Sequence, residues 1–204
     1  MKKLEELNEK ILACRKCPAL IGQQERPIAS DGSGKPRGIV VIGEAPGREE
    51  AKQLKIFVGR SGQLLRRAIK KAEIPEEIIT FLNVLKCHPP ENRDPTEKET
   101  ANCRVWLEQQ LQLLDPVIIL SVGRVATGAL QEKPPDAVPI MRIAGQPYKA
   151  GRYTCVPTMH PAYVLRRRGD RDLGLAFIGH LRIALGHYQR LKKENENGGD
   201  GTRG

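Results

Sequence analysis

Three side chains of chemically useful type each stand at or just past a run that reads as a buried strand. Glu44 follows Ile39-Val40-Val41-Ile42-Gly43, Asn83 lies within Ile79–Leu85, and His160 follows Tyr153-Thr154-Cys155-Val156-Pro157-Thr158. A carboxylate serves as a base or as a counter-charge to a cation, and an imidazole donates to a developing anion. A carboxamide presents a donor and an acceptor side by side. Parallel strands put their carboxyl ends on one edge of a sheet, where ligands bind in open α/β folds. Three distant segments therefore converge on one cleft. Taken alone, Gly43-x-x-x-Gly47 is an ordinary strand-to-helix turn, and it lacks the third glycine of a dinucleotide fingerprint.

The second chemical feature is sulfur. Cys14-x-x-Cys17, Cys87 and Cys103 place four thiols in three segments, while Cys155 sits in a core strand as a small apolar residue. Cys-Arg-Lys-Cys-Pro is a polar setting that suits thiolate ligation better than packing. Zinc usually joins two close pairs, and only one pair is close here. Scattered thiolates suit an iron–sulfur cluster at least as well, so spacing leaves the two open.

The elements that position these groups follow from periodicity. Leu4, Leu7, Ile11 and Leu12 predict an amphipathic helix ending near Cys14. A Gly/Pro/Ser-rich loop (26–37) precedes the first strand, and a basic helix runs from Gln63 to about Ala72. Thr96 and Glu99 form a capping box that opens a helix to Leu114. Pro116–Leu120 is a third strand, followed by a helix through Leu130 and an irregular connection from Pro134 to Pro147. The last helix spans about Asp172 to Leu191. Alternating strands and helices predict a three-layer α/β/α domain around a mostly parallel four-stranded sheet. Residues 1–192 form one domain, and 193–204, rich in Lys, Glu, Asn and Gly, form a disordered tail.

Lys and Arg number 34 against 24 Asp and Glu, a formal charge of +10 that suits a polyanionic partner. One Trp, four Tyr and three Phe are too few for a broad base-stacking platform. No apolar stretch is long enough to span a membrane, and the amino terminus has no signal core, so a cytoplasmic protein without membrane contact is expected.

Taken in order, five segments complete a pattern. They are Gly43-Glu44-Ala45-Pro46-Gly47, Phe57-Val58-Gly59-Arg60-Ser61-Gly62, Asn83-Val84-Leu85-Lys86-Cys87, Pro89-Pro90-x-Asn92-Arg93-x-Pro95 and His160-Pro161-Ala162-Tyr163-Val164-Leu165-Arg166. With the four cysteines, the sequence from about Leu4 to Leu191 resembles the iron–sulfur (family 4) uracil-DNA glycosylases of thermophilic bacteria and archaea. The resemblance implies the uracil-DNA glycosylase fold and a 4Fe-4S cluster on Cys14, Cys17, Cys87 and Cys103. It also implies excision of uracil from double- or single-stranded DNA by a monomer, leaving an abasic site.

By the same resemblance, Gly43, Ala45, Phe57, Asn83 and His160 form the base pocket. Phe57 stacks on uracil, Asn83 pairs with its O4 and N3–H, and His160 donates to O2 as the base departs. Glu44 and Glu50 are the candidates for holding the attacking water and facing the cationic sugar. Better-known uracil glycosylases carry an aspartate where this sequence has Ala45, and Arg48 and Ala51 interrupt the family's usual run of acids. Arg60, Ser61 and Gly62 suit phosphate, while Val164, Leu165 and Arg166 belong to a loop that enters the duplex, with Leu165 the leading wedge and Val164 next. No lysine is placed as a Schiff-base nucleophile, which implies a monofunctional enzyme. A covalent-trapping relative and a non-catalytic cluster-bearing DNA-binding module are the competing readings. Arg60-Ser61-Gly62-Gln63 runs directly into a helix without the basic insertion of the first. Intact Glu44, Asn83 and His160 speak against the second.

Overall fold

The computed structural model describes residues 2–22, 26–167 and 169–197. Four strands carry the alternation that places the core. In β2 (Ile39–Gly43), Ile39 and Val41 face one apolar cluster while Val40 and Ile42 face another. β3 (Ile79–Asn83), β4 (Ile118–Val122) and β6 (Tyr153–Thr158) do the same, so the central strands are apolar on both sides. These four are parallel, in the order β3-β2-β4-β6.

Two short strands extend the expected four-stranded sheet to six. β1 (Asp31–Gly32) pairs antiparallel with β3, and β5 (Tyr148–Ala150) pairs antiparallel with β6. β1 lies in the segment read as a loop, and β5 lies between the irregular connection and the strand expected from Tyr153. A two-residue bridge and a three-residue edge strand are too short to show a two-residue period, which is why the pattern misses them.

Helices cover both faces. α4 (Arg60–Lys71) and α9 (Arg171–Asn197) contribute Leu65, Ile69, Phe177 and Leu181 to one core. α1 (Lys2–Leu12), α5 (Glu97–Leu114) and α6 (Gly123–Gln131) supply Leu4, Leu107, Leu111 and Ala126 to the other. The capping box is present: Thr96 Oγ1 accepts from the Glu99 N–H at 3.2 Å, and Glu99 Oε2 accepts from the Thr96 N–H at 2.9 Å. Short helices α2 (Pro18–Ile21), α3 (Arg48–Gln53), α7 (Ile140–Ile143) and α8 (Pro161–Arg166) fill the connections.

The second expected strand ends at Asn83, two residues early, and the third runs from Ile118 to Val122, two residues late. Three further differences concern helices. α4 begins at Arg60, so Arg60, Ser61 and Gly62 are its first turn and not a loop before it. Val164, Leu165 and Arg166 lie on α8, not in a loop; Pro161 at its first position supplies a preset φ and needs no donor. The last helix continues through Asn197, beyond the expected start of a disordered tail at 193. Lys192 and Glu196, one turn apart, contribute an exposed ion pair there. The remainder of that tail, 198–204, lies outside the described residues, as does Arg168.

Candidate functional site

The parallel register brings the strand ends level. Gly43 is the partner of Asn83, and Val122 of Thr158. Just beyond this edge lies a cavity of about 660 Å³ lined by Glu44, Ala45, Glu50, Phe57, Asn83 and His160, among others. That volume falls in the range for a small-molecule or nucleotide site.

One wall is an aromatic ring against an amide. Asn83 is buried, and its Oδ1 has no hydrogen-bond partner among the described residues. An unpaired buried acceptor costs free energy unless something else supplies a donor. Phe57 closes beside it, held in the left-handed region at φ 57° and edge-on to Phe81 at 5.6 Å. Arg66 on α4 fixes that turn by donating to the carbonyls of Phe57 at 3.1 Å and Ile56 at 2.8 Å, and it is itself paired with Asp31 at 2.6 Å. Gly43 is required by proximity, since a Cβ there would lie 2.4 Å from Asn83 Oδ1 and 2.7 Å from Phe57 Cζ. Gly62 plays the same part behind the ring: its Cβ would meet the Phe57 backbone at 2.3 Å. Gly43 and Gly62 therefore stand behind the cavity, shaping it.

His160 caps α8. Its Nδ1 accepts from the Ala162 N–H at 3.2 Å, so in the neutral ring Nε2 carries the proton and is the donor. Burial, with a smaller push from the Arg166 charge, drives its pKa down to about 4. The imidazole is thus neutral across the physiological range.

The two carboxylates have different lives. Burial pushes the Glu44 pKa up to about 7, with Asp94 raising it further and Arg124 opposing. Glu44 lines the cavity as a carboxyl group that ionises near neutrality, and its backbone carbonyl accepts from the Leu85 N–H at 2.9 Å. Glu50, in the first turn of α3, accepts at Oε1 from the Gly59 N–H at 2.8 Å. It therefore ties the α3 turn to the start of α4 while bordering the cavity. His88, buried with Nδ1 at 2.9 Å from the Pro46 carbonyl oxygen, pins the turn that follows Glu44.

Outside the cavity runs a second, open groove lined by Glu50, Arg60, Ser61, Leu165 and Arg166 among others. Leu165 borders this groove, whereas Val164 packs against the core beneath α8. Ser61 and Arg166 border both hollows.

The four cysteines also meet. Cys14, Cys17, Cys87 and Cys103 line one small cavity together with Lys86, Asn102 and Trp106. Burial pushes the Cys87 thiol up to about 12, and the other three sulfurs add to the rise. Asn102 Nδ2 reaches Cys17 Sγ at 3.4 Å, and the indole N–H of Trp106 is buried without a partner among the described residues. Among the described residues, no group of three or more His, Cys, Asp or Glu side chains is arranged to hold a single metal ion.

The sequence pattern missed Arg66, His88, Asp94 and Arg124, whose contributions are made across the fold. No local spacing announces any of them.

Comparison with known proteins gives the following. The family model described as the uracil DNA glycosylase superfamily matches residues 30–181. A type-4 uracil-DNA glycosylase of Thermotoga maritima is 34% identical over 168 residues, covering 82% of this chain and 85% of that protein. One from Pyrobaculum aerophilum is 36% identical over 190 residues, covering 87% and 95%. One from Sulfurisphaera tokodaii is 36% identical over 172 residues, covering 81% and 77%.

Proposed function

Because the chain belongs to the uracil DNA glycosylase superfamily, and within it to the type-4 uracil-DNA glycosylases, we propose how it recognises uracil in DNA and hydrolyses the bond between base and sugar. The observation that carries the reading is the buried, partnerless Asn83 Oδ1 beside the Phe57 ring. Uracil flipped from the duplex stacks on Phe57, and its N3–H supplies the missing donor. The Asn83 amide donates to O4. Cytosine presents an unprotonated N3 and an amino group at those places, so both contacts are mismatched. Each mismatch costs about 1–3 kcal/mol, roughly tenfold to a hundredfold in discrimination.

Breaking the N1–C1′ bond sends its electron pair onto the base and leaves cationic character on the sugar. The N–H at His160 Nε2 donates to O2, where the negative charge collects; one such donor is worth about 3–4 kcal/mol. Its Nδ1 bond to Ala162 holds the required tautomer. Glu44 is the better placed of the two carboxylates to hold water and face the sugar, because Glu50 already spends an oxygen on Gly59. Water held by Glu44 then adds to C1′ and gives its proton to that carboxylate, from which it passes to solvent or to the uracil anion, giving the abasic site and releasing uracil. No lysine is among the described residues lining the cavity, in keeping with a monofunctional hydrolase.

DNA lies along the outer groove. The α4 amino terminus with Arg60, Ser61 and Arg166 takes phosphate, and Leu165 fills the space left by the flipped nucleotide. Cys14, Cys17, Cys87 and Cys103 hold a 4Fe-4S cluster. The donor set fits it: four sulfurs around one hollow repel one another as thiolates, and Trp106 and Asn102 add N–H donors. Such a cluster fastens α1 and the β3 end to α5 and takes no part in hydrolysis. Among the described residues no helix is long and apolar enough to cross a membrane, and we place the enzyme in the cytoplasm as a monomer.

A duplex with one uracil tests the reading. Wild type leaves an alkali-labile site, while Asn83→Ala and His160→Ala lose excision and keep DNA affinity. A covalent adduct, binding without cleavage, or unchanged turnover in both variants refutes it.

A further inference from the structure

Lys86 is among the most deeply buried large side chains, with 1% of its surface exposed. Its Nζ donates to the backbone carbonyl of Asn83 at 2.8 Å and to Gln110 Oε1 at 2.6 Å. The acceptors belong to different elements, since Asn83 ends β3 and Gln110 lies on the inward face of α5. Gln110 is fixed in turn, donating to the Ala29 carbonyl at 2.8 Å and to Asn8 Oδ1 at 3.3 Å. The same lysine lines the hollow of the four cysteines. Its backbone is hydrogen-bonded to Cys103, and its charge acts on the Cys103 sulfur.

We propose that Lys86 is a positioning residue that couples the cysteine-held cluster to the base-reading amide of Asn83. This rests on the roles proposed above for the cysteines and Asn83. Thiolates around a cluster favour the ammonium form of a lysine that lines their hollow. A charge-assisted hydrogen bond to the Asn83 carbonyl is stronger than a neutral one. It fixes the peptide from which the carboxamide projects toward the cavity. Since Cys87 follows immediately, cluster, lysine and amide share one short length of backbone. The cluster therefore holds the aim of Asn83 as well as the fold, through a side chain that never meets the base.

The test uses holoenzyme purified anaerobically, as wild type, Lys86→Met and Lys86→Arg. Iron content, midpoint potential by film voltammetry, single-turnover excision from a uracil duplex, and inhibition by free uracil are read together. Iron-replete Lys86→Met is expected to show a lower midpoint potential, because a cation near the cluster favours the added electron. Its single-turnover rate falls tenfold or more and free uracil inhibits less, with affinity for uracil-free duplex unchanged. Lys86→Arg keeps the potential and recovers only part of the rate. An unshifted potential in Lys86→Met, or wild-type excision in either variant, overturns the proposal. Should Lys86→Met fail to fold, Lys16→Met labelled with 15N at its lysine Nζ atoms decides the electrostatic half, because Lys16 also lines the hollow and its removal leaves Lys86 as the lysine among the described lining residues. The reduced cluster then shows hyperfine coupling to 15N by electron–nuclear double resonance, and no coupling overturns the proposal. Wild type that lacks iron or does not excise uracil refutes the earlier reading instead, so the two failures are distinct.

Discussion

Gly43→Ala adds one methyl at the point where the amide and the aromatic ring meet. That carbon would lie 2.4 Å from Asn83 Oδ1 and 2.7 Å from Phe57 Cζ, where ordinary contacts are 3.4–4 Å. Relief requires the amide oxygen to move by about 1 Å, since overpacked cores shift before they compress. Displacement of a positioning group by about 1 Å costs about 10²-fold in rate. The expected result is a loss of that size in single-turnover excision, with duplex affinity by fluorescence anisotropy unchanged. The overpacking itself costs about 1–3 kcal/mol, visible as a lower melting temperature but not as unfolding. Excision within threefold of wild type would show that neither Asn83 nor Phe57 reads the base as described.

Other perturbations reach the site by separate routes. With Glu44 working as the carboxylate, the excision rate rises with pH through about 7. Glu44→Gln removes that limb, and Arg124→Met moves it to higher pH because Arg124 lowers the Glu44 pKa; a pH–rate profile from 5 to 9 reads both. Arg66→Met frees the carbonyls of Ile56 and Phe57 and loosens the aromatic wall, so free-uracil inhibition weakens about tenfold, roughly the value of one or two hydrogen bonds. The Arg93 guanidinium holds the Glu99 carboxyl down to about 2. A depressed acid stabilises the fold fully above its ordinary pKa of 4.5 and progressively less as pH falls toward 2. Glu99→Gln therefore lowers the melting temperature at pH 7 and has little effect near pH 2.

The four parallel strands were legible because each is a short apolar run closed by Gly, Asn or His, and their order of convergence followed from parallelism alone. The capping box at Thr96 was equally legible, being a local exchange of hydrogen bonds. What escaped was everything decided between segments. Arg66 reads as one basic residue among several on a helix, yet its fork closes on Ile56, Phe57 and Asp31. Glu50 keeps the position of a family acid, but only the fold reveals that the Gly59 N–H occupies one of its oxygens. Lys86 stands in a motif without any role that spacing assigns, and only the fold reveals that it is buried.

His160 does two jobs with one ring. The nitrogen that starts α8 is the one that leaves the other free to donate, and the far end of the same six-residue helix carries Leu165 and Arg166 toward the outer groove. On the roles proposed above, the group that enters the double helix and the group that steadies the leaving base therefore sit at opposite ends of one short helix. On those roles, a substitution that reorients α8 disturbs the imidazole along with the DNA contact, because the Ala162 N–H that holds His160 Nδ1 belongs to that helix.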